Sequence, residues 1–318
     1  HGTWDAVARH IPGAEKHQVP GDNLAWQPMM FDRTKNCYER DKNHPAIVIW
    51  SIGNESFGGK VPFAMANLFR QLDPSRPVHY EGIFWDPRYP GTSDFESQMY
   101  PPVTRIKAYI EKNKANGMPK PFICCEYSHA MGNSNGALHM YTELTDTEPM
   151  YQGGFIWDYI DQSITKKDRY GRPFQAYGGD FGDRPNDGDF SGNGIVYGEK
   201  RDPSPKMQEV KYCYQNIEAV VTADEVLVKN KNLFTNTDFY DCVAVLLENG
   251  EAKKKLPLTT DVLPLEKKSY RLPFSPADFS GTGEYAVTVR FLLKEDEAWA
   301  PKGHEVAFGQ HVFTAEEA

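Results

Sequence analysis

Two glutamates stand where the sequence predicts buried strands to end. Glu55 follows the apolar residues 46–52 after the short polar segment Gly-Asn. Glu126 directly follows a second apolar run, Pro121-Phe-Ile-Cys-Cys125. Side chains at the carboxyl ends of neighbouring parallel strands converge on one pocket. One such glutamate alone favours a salt bridge that caps a strand, but two beside polar residues indicate a catalytic pair of carboxylates.

A pair of carboxylates in a strand-end pocket is the machinery of glycoside hydrolysis. One carboxyl group protonates the leaving oxygen, and the other attacks the anomeric carbon or activates water. Aromatic side chains that can offer a flat apolar face to a sugar ring are Trp50, Trp85, Tyr100, Trp157 and Phe190. Polar side chains that can bond sugar hydroxyls are Asn54, His129, Asp158 and Asp161. Each aromatic residue taken alone favours a core position, so only the whole set indicates a sugar site.

Alternating strands and helices are predicted to position these residues. Residues 46–52 form a short run rich in β-branched side chains, which predicts a strand covered on both faces. Further strand-like runs begin at Val78, Pro121 and Gly153. Helical patterns cover residues 61–72, 103–113 and 136–145. This alternation predicts βα units with a parallel sheet.

The pattern changes near residue 217. Short segments of alternating apolar and polar residues follow, separated by turns that contain Asn and Gly. No helical pattern of useful length interrupts them, and this arrangement is typical of an all-β sandwich. We therefore predict an immunoglobulin-like β-sandwich of about seven strands over residues 217–318.

Composition limits the other classes of function. The 318 residues carry a net charge of −9 and are 40% hydrophobic, which indicates a soluble folded protein. The acidic balance argues against nucleic acid as a partner. No apolar run approaches the ~20 residues that a membrane span needs. Five cysteines lack the spacing of a metal site or a disulfide framework and predict buried, reduced thiols. The sequence leaves the compartment open between cytoplasm and periplasm.

Longer motifs around the two glutamates resemble one known family. Asp41-Lys-Asn-His-Pro-Ala-Ile-Val-Ile-Trp-Ser-Ile-Gly-Asn-Glu55 looks like the acid/base signature of glycoside hydrolase family 2. Cys125-Glu-Tyr-Ser-His-Ala-Met-Gly-Asn-Ser134 resembles the nucleophile region of its large bacterial β-galactosidase branch. Two further segments are similar to the same branch, Gly153-Gly-Phe-Ile-Trp-Asp-Tyr-Ile-Asp-Gln162 and Tyr177-Gly-Gly-Asp-Phe-Gly-Asp183. The resemblance is dense to about residue 217 and weaker beyond it.

The resemblance implies an activity and a role for each matching residue. It implies a retaining β-galactosidase that removes terminal β-D-galactose from β-galactosides such as lactose by double displacement. Glu55 would be the acid/base and Glu126 the nucleophile. The residues that it places at the substrate are Asn54 at the hydroxyl beside the anomeric carbon, Tyr100 near the nucleophile, His129 at galactose hydroxyls, Trp157 as the stacking floor, and Phe190 and Asn193 by the primary hydroxyl.

The resemblance also implies two metal ions and an assembly. His1 and Glu55 match ligands of a Mg²⁺ site, whereas the carbonyl oxygen of Phe190 and the side chain of Asn193 match part of a Na⁺ site. Other ligands of both sites belong to family segments that this sequence lacks, so both sites are expected to be incomplete. The implied parent protein is a homo-oligomer, and the implied partner is a β-galactoside.

The expected fold departs from the family at its start. The family's barrel begins before the position that matches His1, so we predict an N-terminally incomplete TIM (β/α)8 barrel over residues 1–216. An open barrel has unpaired strand edges, and the chain alone is therefore expected to be inactive and prone to associate. Two alternatives stay open: another exo-glycosidase of family 2, and a catalytically inactive fragment that binds carbohydrate or complements a second piece.

Overall fold

The computed structural model describes residues 18–115, 117, 120–186, 188–279 and 282–315. The chain divides into two compact units, His1–Glu209 and Val210–Ala318. The first unit alternates strands with helices, and the second consists mainly of strands. The predicted domain boundary after residue 216 lies close to this division in the chain.

Parallel strands form the framework of the first unit. They are β1 (Trp50–Ser51), β2 (Val78–His79), β3 (Glu96–Met99), β4 (Phe122–Tyr127) and β5 (Tyr151–Ile156). Strand β1 pairs with β2, and β3, β4 and β5 pair in that order, all of them parallel. An antiparallel hairpin follows, formed by β6 (Ile164–Lys167) and β7 (Pro173–Ala176). The predicted parallel pairing is thus confirmed.

Helices separate most of these strands in the chain. They are α1 (Gln27–Asp41), α2 (Lys60–Leu72), α3 (Val103–Ala115), α4 (His139–Thr147) and the short α5 (Met207–Cys213). The predicted helices near residues 61–72, 103–113 and 136–145 correspond to α2, α3 and α4. None of the helices in the described ranges is both long enough and apolar enough to cross a membrane.

Helix α2 holds β1 from one side. Its side chains Val61, Met65 and Phe69 recur at helical spacing and are buried. The ring of Phe69 stacks on that of Trp50, with centroids 5.3 Å apart. Trp50 Nε1 also donates a hydrogen bond of 2.9 Å to Asp73 at the end of α2. The start of the segment that leads to Glu55 is therefore fixed by packing and by a buried hydrogen bond.

Asp94 connects the two parallel sheets. Its backbone N–H donates to the carbonyl of Val78 in β2 at 2.8 Å, and its Oδ2 accepts the N–H of Val78 at 2.6 Å. Arg70 of α2 pairs with the other carboxylate oxygen of Asp94 at 2.8 Å. The strands β1 to β5 therefore follow one another in space in their chain order, as in an α/β barrel.

One expectation about the first unit needs correction. Residues 46–52 were expected to form a strand covered on both faces, but only Trp50–Ser51 is strand and Val48 is 67% exposed. Among the described residues β1 pairs with β2 alone, so the preceding side chains lack a second covering neighbour. The described strands of this unit form open sheets, and the N-terminally incomplete (β/α)8 barrel stays a prediction.

The second unit is a sandwich of two antiparallel sheets, whose strands are β8 (Ile217–Val221), β9 (Glu225–Asn230), β10 (Tyr240–Glu248), β11 (Glu251–Leu258), β12 (Lys267–Arg271), β13 (Gly283–Leu293) and β14 (Glu305–Ala315). One sheet has the order β11-β10-β13-β14, and the other has the order β12-β9-β8. Alternate side chains of β10 and β13 are buried in one core. The described part of the second unit thus contains seven strands, as the sequence predicted, and its immunoglobulin-like topology stays a prediction.

Candidate active site

The structure brings the two predicted catalytic glutamates to the same ends of the parallel strands. Glu55 follows β1, and Glu126 is the penultimate residue of β4. Burial raises the pKa of the Glu126 carboxyl group, and the negative charge of Glu55 raises it further. Both side chains are half-buried, and the effect of the Glu55 charge on the pKa of Glu126 indicates that the two carboxyl groups lie near each other.

Tyr100 contacts the Glu126 carboxylate directly. It follows the last residue of β3, and its hydroxyl donates a hydrogen bond to Glu126 Oε2. The backbone N–H of Tyr100 also donates to the carbonyl of Glu126 at 2.8 Å. This hydroxyl donor opposes the rise in the pKa of Glu126, whereas burial and the carboxylate raise the pKa of Tyr100 itself. The tyrosine is therefore a neutral donor that holds one carboxylate oxygen in place.

Backbone strain is concentrated around these side chains. Four non-glycine residues with positive φ lie at or just after the strand ends, namely Glu55 (47°), Phe57 (52°), Tyr100 (50°) and Ser128 (45°). Such left-handed conformations cost about 1–3 kcal/mol each and persist only where neighbouring structure holds them. Their clustering at one set of strand ends is typical of an active site, where side chains must point in directions that a relaxed turn does not provide.

Glu81 is a third carboxylate in the pocket, and the sequence prediction missed it. It begins a turn of 3-10 helix soon after β2 and is only 3% exposed. Its Oε1 accepts the backbone N–H of Glu55 at 2.6 Å. Burial, with smaller effects from the charges of Glu126 and Glu55, raises the pKa of Glu81 to about 7. The same signal that marked Glu55 and Glu126, a glutamate after a strand-like run, was present in Val78-His-Tyr-Glu81.

A row of rings extends from Tyr100 to one side of the pocket. The ring centroids of Tyr100 and His129 lie 5.7 Å apart, and those of His129 and Phe190 lie 6.1 Å apart. His129 Nδ1 accepts the backbone N–H of Met131 at 3.2 Å, which leaves the proton of the neutral ring on Nε2. Burial lowers the pKa of His129 and thus favours this neutral form. The predicted substrate residues Tyr100, His129 and Phe190 therefore lie together.

Asn193 and Asp158 present buried polar atoms beside Trp157. The backbone N–H of Asp158 donates to the carbonyl of Asn193 at 3.0 Å, and the carbonyl of Trp157 accepts from Ala130 at 2.8 Å. Within the described part of the chain, neither side-chain amide atom of the fully buried Asn193 has a hydrogen-bond partner. Asp158 Oδ1 has none there either. Unpaired buried polar atoms are costly, so these positions fit a polar ligand or a hard cation.

Three other predicted residues have other surroundings. Trp50 is 3% exposed and packs on Phe69, so it belongs to the core and not to a sugar platform. Asp161 Oδ1 accepts from the N–H groups of Ser163 and Gly192, so this carboxylate holds a loop. Asn54 is half-buried next to Glu55, and its carbonyl accepts the hydroxyl of Ser56 at 2.8 Å.

The two implied metal ions fit the described residues differently. His1 lies outside the described residues, and nowhere in the described ranges do three His, Cys, Asp or Glu side chains cluster as metal ligands. Glu55 supplies one carboxylate, the kind of ligand that Mg²⁺ takes singly or in pairs, so the Mg²⁺ site stays a prediction. For Na⁺, the unpaired Oδ1 of Asn193 is a hard oxygen donor of suitable chemistry, with Phe190 nearby in the chain.

Comparison with known proteins places the chain in a family. The profile for the TIM barrel domain of glycosyl hydrolases family 2 matches residues 1–219, and that for β-galactosidase domain 4 matches residues 226–314. The chain therefore belongs to glycosyl hydrolase family 2. This result confirms the resemblance seen in the motifs.

Similar proteins are named β-galactosidases. One from Halalkalibacterium halodurans is 50% identical over 313 residues, covering 98% of this chain and 30% of that protein. One from Clostridium acetobutylicum is 45% identical over 312 residues, covering 98% of this chain and 34% of that protein. A β-galactosidase large subunit from Leuconostoc lactis is 46% identical over 216 residues, covering 67% of this chain and 33% of that protein. The chain thus spans about a third of the length of these relatives.

Proposed function

We propose that the protein carrying this chain is a retaining glycosidase that hydrolyses terminal β-D-galactosides such as lactose. The observation that carries this proposal is the coupling of two strand-end carboxyl groups, Glu55 and Glu126, with the Tyr100 hydroxyl bound to Glu126. Retaining enzymes need such a pair at roughly 5–5.5 Å, and this is the separation expected for the two carboxyl groups. The names of the similar proteins support galactose as the sugar.

In the first step Glu126 attacks the anomeric carbon while Glu55 donates its proton to the leaving oxygen. The bond to the aglycone breaks, and an ester between the sugar and Glu126 forms. In the second step Glu55 takes a proton from water, the water oxygen attacks the anomeric carbon, and the Glu126 carboxylate is released. Tyr100 keeps its bond to Oε2 and so directs the other oxygen of Glu126 at the sugar.

The surrounding residues bind the sugar in this proposal. Asn54 bonds the hydroxyl beside the anomeric carbon, His129 donates from Nε2 to a galactose hydroxyl, and Trp157 stacks on the ring. Asn193 and the carbonyl of Phe190 hold Na⁺, which supplies a positive charge for the primary hydroxyl. The unpaired amide of Asn193 supports this assignment, because a bound cation and a sugar hydroxyl satisfy both of its ends.

The fold and assembly of the whole protein are part of the same proposal. Residues 1–216 contribute strands to a TIM barrel, and the order of β1 to β5 supports this assignment. Residues 217–318 are an immunoglobulin-like domain, and the two antiparallel sheets support that assignment. The magnesium ligand role of His1 also stays a proposal. A homo-oligomer is part of the proposal because the family resemblance implies one, and the name of one relative, a large subunit, supports assembly from subunits.

Hydrolysis of nitrophenyl glycosides tests this function. The whole protein is expected to release nitrophenol from the β-D-galactoside much faster than from the β-D-glucuronide or the β-D-mannoside. Proton NMR of the first product is expected to show the β anomer of galactose, because double displacement retains configuration. Glu126→Gln is expected to abolish turnover, with Glu96→Gln, on the first residue of β3, as the matched control. The α anomer as first product would refute the mechanism.

A further inference from the structure

Tyr80 and Glu81, which directly follow β2, bind the loop that carries Glu55. Glu81 Oε1 accepts the N–H of Glu55, and the hydroxyl of Tyr80 donates to the carbonyl of Phe57. Tyr80 and Glu81 are 1% and 3% exposed, so both bonds lie in the interior. We call this pair of hydrogen bonds the Tyr80–Glu81 clamp.

The clamp acts on the two strained residues of that loop. Glu55 and Phe57 have φ values of 47° and 52°, and each is bound by one member of the clamp. The bond to the N–H of Glu55 fixes the peptide plane next to its Cα, and this plane sets the direction in which the Glu55 side chain leaves the backbone. Without the bond, the residue can relax to an ordinary and more stable backbone conformation.

The surroundings leave the clamp little freedom. A Cβ at Gly82 would lie 2.4 Å from the Tyr80 ring and 2.6 Å from the carbonyl oxygen of Phe57. A long side chain is needed to span from the turn after β2 to the loop after β1.

We propose that Glu81 is a positioning residue, whose carboxylate oxygen holds the Glu55 peptide so that the Glu55 carboxyl group reaches the leaving oxygen of the substrate. This inference rests on the proposed role of Glu55 as acid/base. It predicts that the reach of the residue 81 side chain matters more than its charge. Glutamine keeps both the length and an acceptor oxygen, whereas aspartate keeps the charge but is one methylene shorter.

The test compares an activated with an unactivated substrate in the whole protein. A dinitrophenyl galactoside needs little protonation of its leaving group, but a methyl galactoside depends on the acid. The quantity measured is the ratio of their kcat/KM values, which does not change with the fraction of folded enzyme. A displacement of about 1 Å can cost on the order of 10²-fold, so Glu81→Asp is expected to raise this ratio about 10- to 100-fold. Glu81→Gln is expected to leave it within about threefold.

Matched variants make the result decisive. Glu96→Asp and Glu96→Gln change a half-buried glutamate at the amino end of β3, whereas the candidate site lies at the carboxyl ends of the strands. Both variants are expected to leave the ratio unchanged. Tyr80→Phe removes the other bond of the clamp and is expected to raise the ratio by a smaller factor, which provides a test if Glu81→Asp does not fold. An unchanged ratio in Glu81→Asp, or an equal rise in Glu81→Gln, overturns the positioning role while the galactosidase function stands. A wild-type protein that hydrolyses neither galactoside defeats the proposed function itself.

Discussion

At the residue scale, the Glu126 carboxyl group is subject to two opposing influences. Burial and the charge of Glu55 raise its pKa, whereas the hydroxyl of Tyr100 lowers it. In the proposed mechanism Glu126 is the nucleophile and has to be ionised to attack, so the tyrosine both orients the carboxylate and keeps it charged at a lower pH. The influence that lowers the pKa of Glu126 is the single hydrogen bond from Tyr100, so a mutation of Tyr100 tests it.

Tyr100→Phe is expected to lower kcat/KM for a nitrophenyl galactoside about 10- to 100-fold, because a hydrogen bond to a charged group contributes about 1.5–3 kcal/mol. Removal of the donor raises the pKa of Glu126 further. The acidic limb of the pH profile of kcat/KM is therefore expected to move to higher pH. Phe190→Leu, which changes a neighbouring ring without touching Glu126, is expected to leave that limb in place. A shift to lower pH in Tyr100→Phe would contradict the account.

The sequence prediction selected Glu55 and Glu126 because each belongs to a long motif and follows a strand-like run. Glu81 escaped notice because no long motif surrounds it. Its role depends on a hydrogen bond to a residue distant in the chain, and spacing does not reveal such a bond. The burial of Trp50 against Phe69 was hidden for the same reason.

At the element scale, a buried histidine links three neighbouring strands beneath the site. His79 of β2 lies between two hydroxyl groups, with Nδ1 3.0 Å from Ser51 Oγ and Nε2 2.7 Å from Ser97 Oγ. Ser51 belongs to β1 and Ser97 to β3. Burial lowers the pKa of His79 from 6.5 to about 4, so the ring is neutral in the folded protein at neutral pH.

This histidine is expected to make the first unit sensitive to acid. Between pH 6.5 and 4 the unfolded chain binds a proton at His79 that the folded chain excludes, so stability falls as the pH falls. The loss is about 3 kcal/mol between pH 7 and pH 4. Glu81 acts in the opposite direction, because its raised folded pKa favours the folded state at lower pH.

Comparison with His79→Gln isolates the histidine from Glu81. Denaturant titrations at pH 7 and pH 4 are expected to show a smaller pH dependence in His79→Gln than in the wild type or in the exposed-site control His139→Gln. An identical pH dependence in all three proteins would show that His79 is not the cause.

Elements with strong apolar periodicity were predictable, and polar elements were not. The buried stripe Val61, Met65 and Phe69 identified α2, but α1 carries one buried residue, Thr34, and no apolar stripe to identify it. Strand β1 is shorter than the apolar run that predicted it. The extent of a strand depends on the neighbours that cover it, and composition alone does not show them.

At the scale of the whole molecule, the second unit has a hydrophobic core of its own, as the change of pattern near residue 217 predicted. Leu246 belongs to β10 and is 1% exposed, whereas Leu233 is 63% exposed. Leu246→Ala is expected to lower the free energy of unfolding of this unit by about 2–5 kcal/mol. Leu233→Ala is expected to change it by less than about 0.5 kcal/mol. Equal effects in denaturant titrations would contradict this assignment of the core.

The most direct measurement for the central claim is covalent trapping of the nucleophile. A 2-deoxy-2-fluoro-β-galactoside with a dinitrophenolate leaving group slows both steps, the second more than the first, so that the sugar ester accumulates. Mass spectrometry of the digested protein is expected to find one fluorogalactosyl group per active site, attached to Glu126. Attachment to Glu55 or Glu81, or steady turnover with no labelled peptide, would contradict the account.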